Sequence, residues 1–237
     1  MLAWLANLEW DAILQIIIID ILLGGDNAVV IALACRNLAP KLRRQGIIWG
    51  AAGAIILRVI LITVAVALLD IPLLKLVGGV LLLWIGVKLV LPEAEGEDHA
   101  NIQASDKLLS AIKTIIIADF VMSLDNVIAI AGAAEQADPS QRTGLIIFGL
   151  LVSVPFIVFG SQLILKLLDR FPIIVLLGAA LLGWIAGGLI VGDVWVKPYL
   201  PDHMAVHYAA CVVGAAIVIG VAKFLERRRG RATAAGS

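Results

Sequence analysis

Apolar runs of roughly twenty residues, separated by short polar or proline-containing breaks, predict membrane-spanning helices near 12–34, 47–69, 73–92, 110–133, 144–168, 172–192 and 206–224. The runs lack the alternation over about ten residues that outer-membrane strands require, so the expected fold is an all-α polytopic membrane protein with seven transmembrane helices. Asp70-Ile-Pro72 and Asp169-Arg-Phe-Pro172 mark sharp turns, because proline disfavours helix at the residue before it.

A polar pattern interrupts the apolar runs twice. Asp20, Asp26 and Asn27 return 99 residues later as Asp119, Asp125 and Asn126, and at the same displacement Gly50 matches Gly149 and Asp70 matches Asp169. Past one inserted residue, Pro72, Gly78, Trp84 and Ile85 match Pro172, Gly178, Trp184 and Ile185. The chain therefore reads as a three-helix unit used twice, at 1–92 and 107–196. An acidic cytoplasmic linker at 93–106 joins the copies; an outer loop with a seventh helix at 197–225 and a basic cytoplasmic tail at 226–237 follow them. A unit with an odd number of crossings enters the second time from the opposite side, so the two repeats are expected to be inverted, with a site at the midplane between them.

Charge then orients the bundle. Arg36, Lys41, Arg43, Arg44, Lys107, Lys113, Lys166, Arg170, Arg227, Arg228, Arg229 and Arg231 fall on one side of a seven-helix arrangement, and only Lys75, Arg142 and Lys197 on the other. Basic residues gather on the cytoplasmic side, which puts the N-terminus outside and the C-terminus in the cytoplasm. Composition agrees with membrane burial: 62% of the 237 residues are hydrophobic and 15% charged, with a mean hydropathy of +1.05. The net charge is zero, so nothing points to a nucleic-acid partner; the basic tail reads as an anchor to anionic lipid. Cys35 and Cys211 lack any ligand or redox spacing and read as small buried hydrophobes. The first residues have no basic stretch or cleavage site, so the first apolar segment is expected to remain as a helix. Glu93, Glu95, Glu97, Asp98 and His99 make the linker acidic, either as a solvated connection or as a weak cation-gathering patch.

Charge inside an apolar helix is expensive and marks function. Asp20 and Asp26 each lie about 4.5 Å along the axis from the centre of the first helix, and Asp119 and Asp125 lie likewise in the fourth. Inversion puts Asp20 with Asp125 on the outer half and Asp26 with Asp119 on the inner. Gly24-Gly25 is the natural place for the first helix to unwind and free backbone carbonyls. In the second copy Ser123-Leu124 stands there instead, and the Ser123 hydroxyl is a candidate oxygen donor. Carboxylate, amide and carbonyl oxygens suit a hard divalent cation, so Asp20, Asp26, Asn27, Asp119, Asp125 and Asn126 are the candidate metal ligands. Met122 could bias such a site toward Mn²⁺, or it could simply pack. The bland alternative for the four Asp residues is interhelical hydrogen bonding between protonated carboxyls. Four charged carboxylates at close range need a cation, which leads to an expected exchange of metal for protons.

Arg58 lies mid-helix and is matched by Ile157, so its charge belongs to one copy alone and needs a carboxylate or backbone partner. Thr63 and Gln162 rank lower as lining, and Ser153 with Pro155 reads as a kink. His203 and His207, beside Asp202, are one turn apart; they could meet a metal outside or merely supply interfacial polarity near Trp195 and Tyr199. No nucleophile with a matching base accompanies the carboxylates, so no enzyme is expected.

The runs Gly24-Gly-Asp-Asn-Ala-Val-Val-Ile-Ala-Leu-Ala34 and Ile117-Ala-Asp-Phe-Val-Met-Ser-Leu-Asp-Asn-Val-Ile-Ala-Ile-Ala-Gly-Ala133 closely resemble the TerC family of integral membrane proteins, in its YjbE-like branch. The resemblance covers about residues 10–225. It implies a multi-pass protein of the bacterial inner membrane in a manganese-exporting family, related to the lysine-exporter superfamily and first named for tellurium resistance. It also implies a link to manganese supply for enzymes outside the cytoplasm. The expected function is export of Mn²⁺ as transported ion, with no resident cofactor, the lipid bilayer as partner and the oligomeric state left open. The alternatives are export of a cationic amino acid or oxyanion, with Arg58 as a substrate ligand, and a membrane metal-delivery partner without turnover.

Overall fold

The computed structural model describes residues 10–69, 71–91, 104–134, 142–201 and 203–235. Asp70, Asp202 and the linker residues 93–103, with their acidic cluster, lie outside the described residues. Eight α-helices and no strands are found among the described residues: α1 (Trp10–Leu23), α2 (Gly25–Cys35), α3 (Pro40–Leu69), α4 (Leu74–Val90), α5 (Ala104–Ala134), α6 (Arg142–Arg170), α7 (Ile173–Val191) and α8 (Met204–Ala235).

The expected single helix at 12–34 is two helices. The break falls at Gly24, and α1 and α2 meet at a bend of 46°. Each glycine costs a helix interior about 1 kcal/mol relative to alanine, so two in succession make this the cheapest place to leave the helical path. The bend is tight: a Cβ on Gly24 would stand 2.5 Å from the Asp20 carbonyl oxygen, whereas one on Gly25 would meet nothing within 4 Å. Other boundaries move outward. The third, fifth and eighth helices begin at Pro40, Ala104 and Met204, and α8 runs on to Ala235, so the basic tail continues a helix. Pro40 suits a first helical position, where its missing N–H is not needed.

Among the described residues four helices, α3, α6, α7 and α8, are long and apolar enough to cross a membrane, and the bent pair α1–α2 makes a fifth when taken as one span. Large apolar side chains such as Leu22, Ile56, Phe159 and Leu177 point outward, as a lipid-facing surface allows and water would not. Only 17% of the apolar stretch of α8 is buried, so this helix lies at the edge of the bundle.

The helices pack in a crossed pattern. The helix α3 lies against α5, the broken pair α1–α2 lies against α6, α4 lies against α7, and α8 lies against α7. Two matched glycines sit at matched contacts: a Cβ on Gly50 would meet Ile115 at 2.5 Å, and one on Gly149 would meet Ile16 at 2.5 Å. Ile16 and Ile115 are themselves 99 residues apart, the same spacing as Gly50 and Gly149. Helices α7 and α8 touch backbone to backbone, since a Cβ on Gly183 would lie 2.5 Å from the Gly214 carbonyl oxygen. Small residues permit that approach where lipid supplies no hydrophobic drive for association.

At one end, Arg43 Nη1 donates to Asp169 Oδ2 at 2.8 Å and Arg36 Nη2 to the Val90 carbonyl at 3.1 Å. At the other, the loop after α7 closes on the start of α4. Asp193 Oδ1 accepts the Leu73 and Trp195 N–H groups at 3.1 and 2.8 Å, and its Oδ2 accepts Leu76 N–H at 3.1 Å. Leu73 takes a left-handed conformation with φ 68°, and Asp193 supplies from another helix's loop the acceptors that the α4 N-terminus lacks locally. Burial alone would raise the Asp193 carboxyl, but the Trp195, Leu76, Leu73 and Lys75 backbone donors outweigh it and hold the group below its ordinary value.

Candidate functional site

Helix α3 carries Arg58 into the interior, where it is 2% exposed. Three helices answer it. Nη1 donates to Asp20 of α1, Nη2 donates to Asp119 Oδ1 of α5 at 2.7 Å, and Nε donates to Ser123 Oγ at 3.2 Å. One turn separates Asp119 and Ser123, so the hydroxyl reaches back to donate to Asp119 Oδ2 at 3.2 Å. Ser153 of α6 has one hydroxyl proton to share between the other oxygen of Asp20 and the Leu150 carbonyl, the latter at 2.8 Å. All five side chains are buried. A planar guanidinium matches two carboxylates and a hydroxyl at once, so the cluster satisfies charges that apolar surroundings would otherwise reject.

The other motif residues make no hydrogen bond to Arg58. Asp26 lies in the first turn of α2, where the positive end of the helix dipole favours a carboxylate, and its Oδ1 accepts the Asn27 N–H at 2.8 Å. It is half-buried, within electrostatic reach of Arg58 and Asp119. Among the described residues no Lys or Arg pairs with it. Asp125 is paired with Lys75 of α4 and its side chain is 52% exposed. Arg58 thus links Asp20 to Asp119, Asp26 stays within electrostatic reach of that pair, and Asp125 is held by Lys75. Among the described residues, no three His, Cys, Asp or Glu side chains gather closely enough to hold a metal.

Asn27 and Asn126 are buried and under-satisfied. Neither the oxygen nor the nitrogen of the Asn27 side chain has a hydrogen-bond partner, and the Asn126 nitrogen lacks one too. Asn27 and Asp119, with Val30, Ile31 and Ile115, line a cavity of about 10 Å³, room for one water or a bare ion. Buried amides are rarely left unpaired, because each orphaned group costs on the order of 1–3 kcal/mol. An amide oxygen and a carboxylate, both hard donors, thus face the same small cavity.

The remaining candidates separate cleanly. Met122 packs among Val30, Leu82, Val121 and Leu182. Thr63 and Gln162 occupy exposed positions. Cys35 and Cys211 are buried free thiols. His203 and His207 line a larger cavity of about 240 Å³ beside Lys197, away from the carboxylates. Three residues with a part here were not singled out by sequence reasoning. Ser153 looked like part of a kink, Lys75 like an ordinary outer charge, and Asp193 carried no signal. Ser153 and Lys75 do share one hint with Arg58: at the 99- or 100-residue offset of the sequence pattern each is matched by an apolar residue, Ala54, Val175 and Ile157 respectively.

A helical membrane protein built around carboxylates tied to arginine inside apolar helices is the class that this geometry defines. The chain belongs to the TerC family, described as integral membrane protein TerC family, whose model matches residues 5–230. It is 42% identical over 208 residues to the uncharacterized membrane protein YjbE of Bacillus subtilis, covering 88% of this chain and 92% of that one. It is 24% identical to a UPF0053 protein of Haemophilus influenzae, across 96% and 99% of the two chains. With the UPF0053 inner membrane protein YgdQ of Escherichia coli it shares 26% identity over 76% and 80% of the two chains. No solved structure matches.

Proposed function

We propose that this protein is a bacterial inner-membrane transporter that exports Mn²⁺, by alternating access at its midplane carboxylates and in exchange for protons. The observation that carries the reading is Asn27: a buried side chain with both polar atoms unpartnered, sharing a one-atom cavity with Asp119. Asp20, Asp26 and Asp119 bring three negative charges and Arg58 one positive, a balance that a divalent cation would neutralise. Asp125 and Asn126 are the second half of the path.

Two inverted three-helix repeats belong to the same proposal, and the reciprocal contacts of Gly50 with Ile115 and Gly149 with Ile16 support them. Seven crossings follow once α4 and α5 cross as well; the 17 residues of α4 extend about 26 Å, close to the hydrocarbon thickness. The joining of Arg36 and Arg43 to Val90 and Asp169 at one end, opposite Lys75 and Asp193, supports a cytoplasmic C-terminus and an outer N-terminus. Kinship with the lysine-exporter superfamily and a role without catalysis are parts of this reading. Export of an oxyanion finds no support in Arg58, because each of its three nitrogens is engaged by the protein.

Mn²⁺ flux into inverted vesicles, measured with Mg²⁺, Ca²⁺ and Zn²⁺ as competitors and with or without a proton gradient, tests the proposal. Asp26→Asn is the informative variant, since Asp26 is half-buried and holds no basic partner among the described residues. Loss of flux in a folded variant is expected. Absence of flux in folded wild type would move the reading to a metal-delivery partner, and indifference to the gradient would remove the exchange.

A further inference from the structure

Arg58 and Lys75 both meet motif carboxylates, but they are held in opposite ways. Arg58 is 2% exposed and uses all three nitrogens on Asp20, Asp119 and Ser123. Removing it strands two buried charges, so this cation is part of the framework. Lys75 makes one ion pair, to Asp125 Oδ1, with side chains 17% and 52% exposed. A pair open on one side is weakly held, and the lysine head is a point charge on a flexible stem.

The backbone beneath Lys75 is the opposite of flexible. Leu73 and Leu76, which flank it, both donate to Asp193, and Asp193 also takes the Trp195 N–H. The root of Lys75 is thus pinned to the loop after α7 while its ammonium rests on an accessible carboxylate. We propose that Lys75 is a tethered competitor for the transported cation, with Asp193 as the positioning residue for its backbone. The ammonium sits on Asp125 while that carboxylate is empty, swings away when a divalent cation binds there, and returns as the cation leaves, so that re-entry is opposed. No bond is made or broken and no proton moves in this exchange of one cation for another. The inference rests on the reading of the motif carboxylates as a cation-transport site.

Equilibrium binding of Mn²⁺ to the purified full-length protein tests it, for wild type, Lys75→Met and Lys75→Arg. Lys75→Met, which keeps the stem and loses the charge, should bind Mn²⁺ about fivefold tighter, the effect of releasing an exposed pair. In vesicles its KM should fall together with kcat, because release slows. Lys75→Arg should restore both values toward wild type. Unchanged or weaker binding by Lys75→Met would overturn the inference. A second measurement needs no variant: acetylation of Lys75 in the wild type, read by mass spectrometry against Lys197, should rise severalfold on adding Mn²⁺. Unchanged or reduced acetylation would overturn it equally. Wild type that binds and transports no Mn²⁺ sinks the transport reading and this inference together, whereas binding without the Lys75 effects sinks this inference alone.

Discussion

The first Asp-Asn pair stands at the head of α2, just past a 46° bend, and the second lies within the unbroken helix α5. Asp26 has no basic partner among the described residues and Asn27 has neither polar atom bonded, while Asp125 holds Lys75 and Asn126 leaves its nitrogen alone unpaired. The two copies share their polar residues and differ in what surrounds them. Gly24 is matched by Ser123, Arg58 by Ile157 and Lys75 by Val175. A duplicated motif thus becomes two chemically different places, one with an unpaired buried amide and one closed by a lysine. The alternating access proposed above calls for such inequality at any instant, since two halves in exchange cannot present the same face to the same side.

Removing the buried cation should have the largest effect on the comparison. Arg58→Met leaves Asp20 and Asp119 buried without a counter-charge and should cost about 3–5 kcal/mol, read as a collapse of the thermal midpoint in detergent. Arg58→Met with an unchanged midpoint would mean that the two carboxyls are neutral and that the bridge is not ionic.

Next comes the bend that distinguishes the copies. Gly24→Ala drives a Cβ to within 2.5 Å of the Asp20 carbonyl oxygen and should destabilise by about 1–3 kcal/mol, with loss of Mn²⁺ flux, whereas Gly25→Ala, which meets nothing within 4 Å, should stay within about 0.5 kcal/mol. Equal effects at the two glycines would remove the bend as the source of the difference.

Asp193 sharpens the second copy, because it pins the turn that carries Lys75. Asp193→Ala leaves Leu73, Leu76 and Trp195 N–H groups without their acceptor and should cost about 1–2 kcal/mol. The wild-type carboxyl lies below its ordinary value, so its contribution is complete above the unfolded value of about 3.9 and fades as pH falls through the folded value. Unfolding midpoints of wild type and Asp193→Ala should therefore differ at neutral pH and draw together in acid. A gap that widens in acid would reverse the sign.

The smallest change in stability is expected at Asn27. Its side chain gives the fold no hydrogen bond, so Asn27→Ala should leave the midpoint within about 0.5 kcal/mol, or raise it slightly, while Mn²⁺ flux is lost. A large destabilisation with flux retained would make Asn27 a structural residue.

Much of the site was legible because the signals are local. Apolar length announced helices, two adjacent glycines announced the break at Gly24, and carboxylates in apolar runs announced their own importance. Pairing was not legible. Midplane arithmetic gives only depth along straight helices; the rotation of α1 and α5 about their axes, with contacts such as Gly149 on Ile16 and Gly50 on Ile115, turns Asp20 and Asp119 toward one guanidinium. Ser153 was invisible for the same reason, since nothing along α6 reveals which helix its hydroxyl will face.

Taken by itself, the sequence determined the helical membrane character, the place where the first helix breaks and the positions of six polar residues inside apolar runs, all consequences of local periodicity and of the expense of charge in lipid. Only the tertiary structure decided that Arg58 bridges Asp20 and Asp119, that Lys75 closes on Asp125 and that Asn27 is left unpaired beside Asp119. Those outcomes depend on how helices distant in sequence are rotated and spaced, and on long basic side chains whose choice of partner is made by that packing.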